Sequence, residues 1–205
     1  VLTYDTDCKE TFKINPLAVT ITADAKEKFY GAEDPELTYQ VTLPEGAGKK
    51  EEDVRKAFDA TKGEETLKRA GAAEENGNPE DVGSYDITLN KKLNNYKITY
   101  VGAQLVIKKL PVTIVPDEKQ SKIFGAANPK HYGYSIKYSK KETKTQLEKD
   151  QIIEELKKDV LVRDAGEDLG SYAYHLNGNE AYVKNHFKNY DLTLEAGTHT
   201  INTVA

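Results

Sequence analysis

Short stretches of alternating apolar and polar residues recur along the chain, and glycine, proline and asparagine separate them. Residues 19–21 and 37–43 alternate with period two, which is typical of half-buried strands. Gly31 and Pro35 mark a turn between these stretches, because glycine permits positive φ and proline keeps Asp34 extended. The pattern therefore predicts short strands joined by tight turns.

The chain contains an internal repeat. Five landmarks of its first half return in the same order in its second half. Residues 17–21 return as 110–114, 29–35 as 123–129, 82–85 as 169–172, 94–96 as 188–190, and 98–100 as 192–194. Self-similarity of this kind indicates that one supersecondary unit occurs twice. We therefore interpret the chain as two divergent copies of one module.

Each copy has the same predicted order of elements: strand, strand, helix, strand and a closing hairpin. The helix is predicted within residues 49–70 of the first copy and within residues 143–160 of the second, both rich in charged, helix-favouring side chains. The closing hairpin of the first copy is predicted from residues 96–100 and 104–107.

This order predicts an α+β fold in which a helix lies across one face of a mixed sheet. We expect two tandem β-grasp (ubiquitin-like) modules, mainly β with one helix each. The alternative is a pair of Ig-like β-sandwich modules in which the helical segment is an inserted loop. A helical segment at the same place in both copies favours the β-grasp arrangement.

The predicted boundaries follow the repeat. Residues 15–108 form module 1 and residues 109–205 form module 2. Residues 1–14 are interpreted as the closing hairpin remnant of an upstream module, and a disordered leader is the alternative. Because the chain starts at Val1 and lacks methionine, we expect it to be a piece of a larger protein.

Composition narrows the function classes. The chain has 29 basic and 34 acidic side chains and a net charge of -5, a balance that gives no reason to expect nucleic acid or anionic lipid as a partner. No apolar run reaches the ~18 residues of a membrane span, so membrane insertion is not expected. Cys8 is the single cysteine, which excludes an internal disulfide.

Several stretches resemble a known family. The opening resemblance is carried by residues 19–24, 29–31 and 34–41, and the closing one by residues 82–85, 95–96, 98–100 and 105–107. These stretches resemble the MBG domain of the tyrosine-glycine type, which forms tandem repeats in large bacterial cell-surface proteins. The second copy departs from the pattern, since Ile123 and Phe124 precede its glycine and Gly133 interrupts its next strand.

The resemblance implies an extracellular location at the cell surface or cell wall of a Gram-positive bacterium. It implies a role in surface display or adhesion and supplies no catalytic residues. We expect a non-catalytic stalk or spacer whose partners are the neighbouring repeats of the same chain. The alternative is an adhesive module that binds host glycan, mucin or matrix protein directly through residues that stay unknown.

A search for catalytic or metal-binding patterns finds no candidate site. The acidic residues of both helical stretches, which include Glu51, Glu52, Asp53, Glu154 and Glu155, lie in mixed-charge runs typical of a solvated helix face. The four histidines lie far apart without the short spacing of a zinc pair; they are His131, His175, His186 and His199. We therefore expect no catalytic residue, no metal site, no cofactor and no enzymatic activity.

Tyrosine is abundant, with 13 residues, and could line a sugar-binding groove. Five tyrosines of the first copy lie on or beside its predicted strands: Tyr30, Tyr39, Tyr85, Tyr96 and Tyr100. Three of these positions have clear aromatic counterparts in the second copy, Phe124, Tyr172 and Tyr190. Because they recur at equivalent positions, we interpret these rings as core residues whose hydroxyls reach the surface or a backbone carbonyl. Better candidates for ligand contacts are the tyrosines without a repeat counterpart, Tyr132, Tyr134, Tyr138, Tyr174 and Tyr182.

Two further hypotheses concern the whole chain. Lysine and asparagine could form an intramolecular isopeptide cross-link beside an acidic residue, and an intact mass lower by one ammonia per bond would reveal it. The predicted strands on either side of Lys108 and Lys109 are too close for a flexible linker, so we expect a monomer with its modules end to end. Small-angle scattering tests that expectation, because a near-spherical envelope would contradict it.

Overall fold

The computed structural model describes residues 13–60, 66–71, 81–89, 91–138, 160–177 and 187–203. Within these ranges the chain is mainly β, with fourteen strands and one short helix. Residues 1–12, which hold Cys8 and most of the predicted upstream hairpin, lie outside the described residues. The same is true of residues 143–159, where the second helix is predicted.

Seven strands and the helix belong to the first copy of the repeat. In chain order they are β1 (Leu17–Ala23), β2 (Lys26–Phe29), β3 (Tyr39–Thr42), α1 (Glu51–Asp59), β4 (Leu67–Arg69), β5 (Gly83–Leu89), β6 (Tyr96–Val101) and β7 (Ala103–Lys108). The predicted strand at residues 19–21 and the predicted Gly-Ser-Tyr strand are both confirmed. The turn at Gly31 is confirmed as well, with φ of 77°.

Seven strands belong to the second copy. They are β8 (Leu110–Pro116), β9 (Ser121–Ile123), β10 (Tyr134–Tyr138), β11 (Leu161–Arg163), β12 (Gly170–Leu176), β13 (Tyr190–Leu194) and β14 (Thr198–Asn202). Each strand stands at the same place in its copy as its counterpart among β1 to β7. The repeat seen in the sequence therefore extends to the order of the strands.

The two copies also share one sheet topology. The first copy has a three-stranded sheet β3-β1-β6 and a four-stranded sheet β2-β7-β5-β4, and the second has β10-β8-β13 and β11-β12-β14-β9. In both three-stranded sheets the central strand is antiparallel to one neighbour and parallel to the other. Ile21 pairs with Val41 and Tyr100 in the same way that Ile114 pairs with Ile136 and Leu194.

One compact unit of the chain contains the sheet β3-β1-β6 and the helix α1. Val54 and Phe58 face the sheet from the helix and are fully buried with Val19, Ile21 and Val41. The helix begins after Lys50, whose backbone N–H donates to Asp53 Oδ2 at 2.9 Å. That bond satisfies one of the amide donors that a helix start leaves exposed.

The first helix is shorter than predicted. The observed helix covers Glu51–Asp59, and the end of the predicted helical range contains the separate strand β4. Leu67 and Arg69 are buried while Lys68 is exposed, so the side chains alternate with period two rather than following a helical face. The composition of residues 49–70 favours helix throughout. Because β4 has only three alternating residues, its strand signal is too short to outweigh that composition.

The predicted closing hairpin is wrong, although both of its strands exist. β6 pairs in parallel with β1, whereas β7 pairs in parallel with β2, so they belong to different sheets. Gly102 separates the two strands, and a Cβ atom at this position would touch the backbone oxygen of Ile87 and the ring of Tyr100. A short connection resembles a hairpin in sequence because alternation does not reveal which strand is the partner.

The second compact unit contains the sheets of the second copy and the part of the first copy that includes β2, Tyr30 and Val82. Its core is formed by the inward-facing residues Leu110, Val112 and Ile114 of β8, together with Tyr174 and Tyr190. No helix in the described part of the chain is long and apolar enough to cross a membrane.

Candidate functional site

The acidic residues of α1 behave as the sequence predicts for a solvated helix face. Glu51 and Glu52 are exposed, and Glu52 forms an i,i+4 ion pair of 2.7 Å with Lys56. The bond from the backbone N–H of Lys50 lowers the pKa of Asp53, which acts as the helix cap. Glu154 and Glu155 lie outside the described residues.

The histidines of the described ranges lie in different surroundings. His199 is buried between Tyr132 and Tyr174, with ring centroids 5.3 and 6.4 Å away. Burial is the main cause that lowers its pKa. His175 Nε2 lies 2.6 Å from Asp164 Oδ1 on the surface, and His186 lies outside the described residues. Across the described ranges, no group of three or more His, Cys, Asp or Glu side chains could hold a metal ion.

The repeated tyrosines are packing residues. Tyr30 and Tyr190 are buried, and the hydroxyl of Tyr100 donates to the backbone oxygen of Ile87 at 2.6 Å. The hydroxyls of Tyr85 and Tyr172 donate to the backbone oxygens of Asp81 and Asp168, respectively, at 2.6 and 2.8 Å. The interpretation as core residues is confirmed for Tyr30, Tyr190 and the tyrosines packed against the two cores, which are Tyr39, Tyr85, Tyr96 and Tyr100. Tyr172 is half-buried and belongs to neither core. Phe124 differs, because its side chain is 57% exposed.

Of the tyrosines proposed as ligand contacts, Tyr174 and Tyr134 pack in the core, whereas Tyr132 also lines an open cleft. Tyr174 is buried with 4% exposure, and its burial, together with the nearby Tyr132, raises its pKa to about 12. Tyr132 and Tyr134 pack against the core of the second compact unit. Tyr138 lies at the end of β10, and Tyr182 lies outside the described residues.

A cluster of charged residues in the second copy was not predicted. Lys122 and Arg163 are almost fully buried at their side chains, and both ion-pair with Glu167, Arg163 Nη2 at 2.6 Å from Oε1. Asn128 donates to the same carboxylate at 3.2 Å and accepts from Arg163 at 2.9 Å. Lys122 also donates to the backbone oxygen of Ala126 at 3.0 Å. We call Lys122, Asn128, Arg163 and Glu167 the polar cluster.

The polar cluster borders an open cleft of about 360 Å³ on the surface of the second copy. Tyr132 and Val162 line the cleft together with Asn128, Arg163 and Glu167. The bond with Lys122 is the main cause that lowers the pKa of Glu167 to about 2. A signal for the cluster exists in the repeat, because the equivalent Lys28 donates to Ala32 and ion-pairs with Asp34 in the first copy.

We predict that Glu167→Gln weakens the dependence of stability on acid pH. The folded pKa of about 2 lies below the ordinary glutamate pKa of 4.5, so the folded chain keeps this carboxylate ionised at pH values where the unfolded chain protonates it. The stabilisation is present above pH 4.5 and is lost as the pH falls towards 2. Urea unfolding at a series of pH values measures this effect. Glu118→Gln, on an exposed turn, is the control and should leave the profile unchanged; equal profiles for both variants would contradict the prediction.

Within the second compact unit, residues of the first copy contact residues of the second. Asn189 is buried, and its side-chain oxygen accepts from the backbone N–H of Val82 at 2.9 Å. Its amide nitrogen donates to Asp81 Oδ1 at 2.8 Å, and Lys188 Nζ lies 2.6 Å from Asp81 Oδ2. The bonds with Lys188 and Asn189 lower the pKa of Asp81. We call these residues, together with Tyr30 and Tyr190, the repeat junction.

The apolar half of the repeat junction is an aromatic contact. The rings of Tyr30 and Tyr190 pack edge to face, with centroids 5.4 Å apart and planes at 81°. Phe29 and Val82 pack against the same core. Only Lys109 separates β7 from β8 at this point in the chain. The junction therefore combines a very short connection with buried apolar and polar contacts.

We predict that Asn189→Ala destabilises the second compact unit by about 1–3 kcal/mol, because it removes the hydrogen-bond partner of the Val82 backbone N–H and of Asp81 Oδ1. The double variant with Asp81→Ala should be less than additive, since the two side chains are bonded to each other. Urea unfolding measures both effects. The matched control is Asn95→Ala, at the equivalent but exposed position, which should change stability by no more than ~0.5 kcal/mol. Equal effects at both positions would contradict the prediction.

Comparison with known proteins places these features in a family. No curated protein matches the chain. The family model of the MBG domain (YGX type) matches it twice, over residues 19–106 and 112–200. The two matches coincide with the two copies that share one sheet topology. The chain therefore belongs to the MBG domain (YGX type) family and carries two tandem repeats of it.

Proposed function

We propose that this chain is a non-catalytic repeat segment of a bacterial cell-surface protein and that it acts as a stalk or spacer in surface display. The repeat junction carries this proposal. A spacer must hold consecutive repeats in a fixed relation, and the buried Asn189 with the Tyr30–Tyr190 contact provides specific bonding between the two copies. A family built of tandem repeats fits the same role.

The β-grasp arrangement is part of the proposal. In the first copy, β1 is antiparallel to β3, the helix follows β3, and β6 then pairs in parallel with β1. Val54 and Phe58 place the helix on one face of this sheet. A mixed sheet crossed by a helix in this chain order is what the β-grasp interpretation requires. A sandwich is the competing description because each copy also has a second, four-stranded sheet.

Direct adhesion is the second candidate function, and the open cleft beside the polar cluster supports it. Tyr132 and Val162 offer apolar surface there, and the exposed Asn128 and Glu167 offer hydrogen-bonding groups. Such a cleft could take a sugar residue of a host glycan or mucin, since aromatic rings and charged side chains both contact sugars. The spacer role needs no ligand at this position.

Two measurements test the proposal. Brief protease treatment of intact source cells, followed by mass spectrometry, should release peptides of this chain if it is displayed at the cell surface. Peptides found only after lysis would overturn the extracellular location. A glycan and mucin array then separates the candidate functions: reproducible binding that Asn128→Ala removes would favour adhesion, and an array without binding would favour the spacer.

A further inference from the structure

Three large apolar side chains of the second copy are exposed. Ile123 is 47% exposed, Phe124 is 57% exposed and Leu169 is 55% exposed. All three lie in the second compact unit: Ile123 ends β9, Phe124 begins the turn that follows, and Leu169 comes just before β12. The acidic residue Asp168 precedes Leu169 and is exposed as well.

The repeat shows what their counterparts do. Ile123 and Phe124 correspond to Phe29 and Tyr30, and Leu169 corresponds to Val82. In the first copy those counterparts are half-buried or buried against the core of the second compact unit. The repeat junction thus covers in the first copy the surface that stays exposed in the second.

The polar half of the junction is also present in the second copy. Asp168 corresponds to Asp81, and each accepts the hydroxyl of the following Gly-Ser-Tyr tyrosine on its backbone oxygen. The backbone N–H of Phe124 donates to Asn202 at 2.8 Å, as that of Tyr30 donates to Lys108 at 2.8 Å. The hydroxyl bond to the backbone oxygen of Asp81 and the backbone bond of Tyr30 thus both have counterparts in the second copy.

We propose that Ile123, Phe124, Asp168 and Leu169 form a docking surface for another MBG repeat. The docking repeat would present the end of its structure that corresponds to residues 188–190 here. Its tyrosine would pack edge to face on Phe124, and its asparagine would bridge the carboxylate of Asp168 and the backbone N–H of Leu169. The geometry is that of the repeat junction, continued by one repeat.

The complementary end exists in the first copy. Asn95 and Tyr96 correspond to Asn189 and Tyr190, and the backbone oxygens of Asn95 and Asn189 accept equivalent bonds from Leu17 and Leu110 at 3.0 and 2.9 Å. Asn95 is exposed, whereas Asn189 is 7% exposed within the repeat junction. The asparagine of this loop is therefore buried in the copy whose loop is part of the repeat junction and exposed in the other copy.

The inference deepens the proposed function by naming the partner of this surface, and it rests on the repeat role proposed there. The proposed function and the docking proposal can fail separately. The location of the parent protein is tested on cells, whereas docking is tested on purified chains.

The experiment uses the absence of tryptophan from the chain, which makes a single indole a specific probe. Phe124→Trp is prepared in this chain and in a three-repeat chain, in which a copy of residues 112–205 follows Ala205. That fusion keeps the repeat spacing, since Ala205 corresponds to Pro111. In the three-repeat chain we expect a blue-shifted emission and a several-fold smaller acrylamide quenching constant. Tyr30→Trp in this chain gives the buried reference.

An indole that is equally quenched in the two chains would overturn the proposal, as would an indole already protected in this chain at every concentration. Protection that grows with concentration in this chain and is removed by Asn95→Ala would support docking of a second copy. Replacing the asparagine of the appended Lys-Asn-Tyr by alanine should restore quenching, with circular dichroism as the check of folding.

A second measurement does not use the indole: Asp168→Ala should lower the urea midpoint of the three-repeat chain only, and equal shifts in both chains would contradict docking.

Discussion

Replacing Phe58 by alanine is expected to destabilise the unit that contains α1 by about 3–5 kcal/mol, the usual cost of truncating a buried aromatic side chain. Phe58 is fully buried, and its ring packs edge to face with that of Tyr39 at 6.0 Å. The helix has only nine residues, too few for stability on its own, so Val54 and Phe58 supply most of its attachment to the sheet. Loss of the ring removes buried area and leaves a cavity beside Ile21.

Urea unfolding followed by circular dichroism measures this loss. The matched control is Phe124→Ala, which removes the same atoms from a side chain that is 57% exposed and should cost far less. Val54→Ala gives a second test on the same helix face. Equal destabilisation by the Phe58 and Phe124 variants would show that the α1 core is not formed as described.

Replacing Tyr190 by alanine should have a comparable effect on the second compact unit, about 3–5 kcal/mol. The ring is 6% exposed and packs against Tyr30 at 5.4 Å and Phe187 at 6.4 Å. Because Tyr190 also begins β13, the space left by the ring would lie where that strand pairs with β8.

The control is Tyr190→Phe, which keeps the ring and removes the hydroxyl. We expect it to cost much less than the alanine variant, because the ring keeps its contacts with Tyr30 and Phe187. Thermal unfolding of both variants beside the unmodified chain gives the comparison. If the phenylalanine variant were as unstable as the alanine variant, the hydroxyl rather than the ring would stabilise the junction.

The sequence allowed most strands to be predicted because their signals are local. β1 and β5 carry period-two alternation over seven residues each, and glycine with positive φ marks the turn at Gly31. The repeat could be predicted because equivalent strands need equivalent side chains at their buried positions, as Ile21 and Ile114 show. Such information survives in the order of residues alone.

The errors concern what alternation does not encode. A strand's own residues do not specify its partner, so β6 and β7 were paired with each other when each pairs in parallel with an earlier strand. β4 has three residues, and its alternation was masked by the charged, helix-favouring residues around it. Tertiary contacts decide both cases.

The repeat junction and the polar cluster could not be predicted for a similar reason. Asp81 and Asn189 are 108 positions apart, and Lys122 and Glu167 are 45 apart. Both sites consist of residue types that are common on protein surfaces, so only the fold brings them together and buries them. The sequence does contain the repeat equivalence of Asp81 with Asp168 and of Lys28 with Lys122. That equivalence does not reveal which residues they contact, because the contacts depend on the fold.

The parallel pairing of β1 with β6 determines how a single repeat would respond to mechanical tension. The chain enters the first repeat at Leu17 and leaves β6 at Val101, which are opposite ends of six paired positions. Force applied at these ends pulls the two strands lengthwise past each other, so the bonds of the pair are loaded together rather than opened one after another. β8 and β13 repeat the arrangement over five positions. Tension between the two ends of such a strand pair is therefore resisted by all of its hydrogen bonds at once, and the separation of the pair under load is governed by a rate.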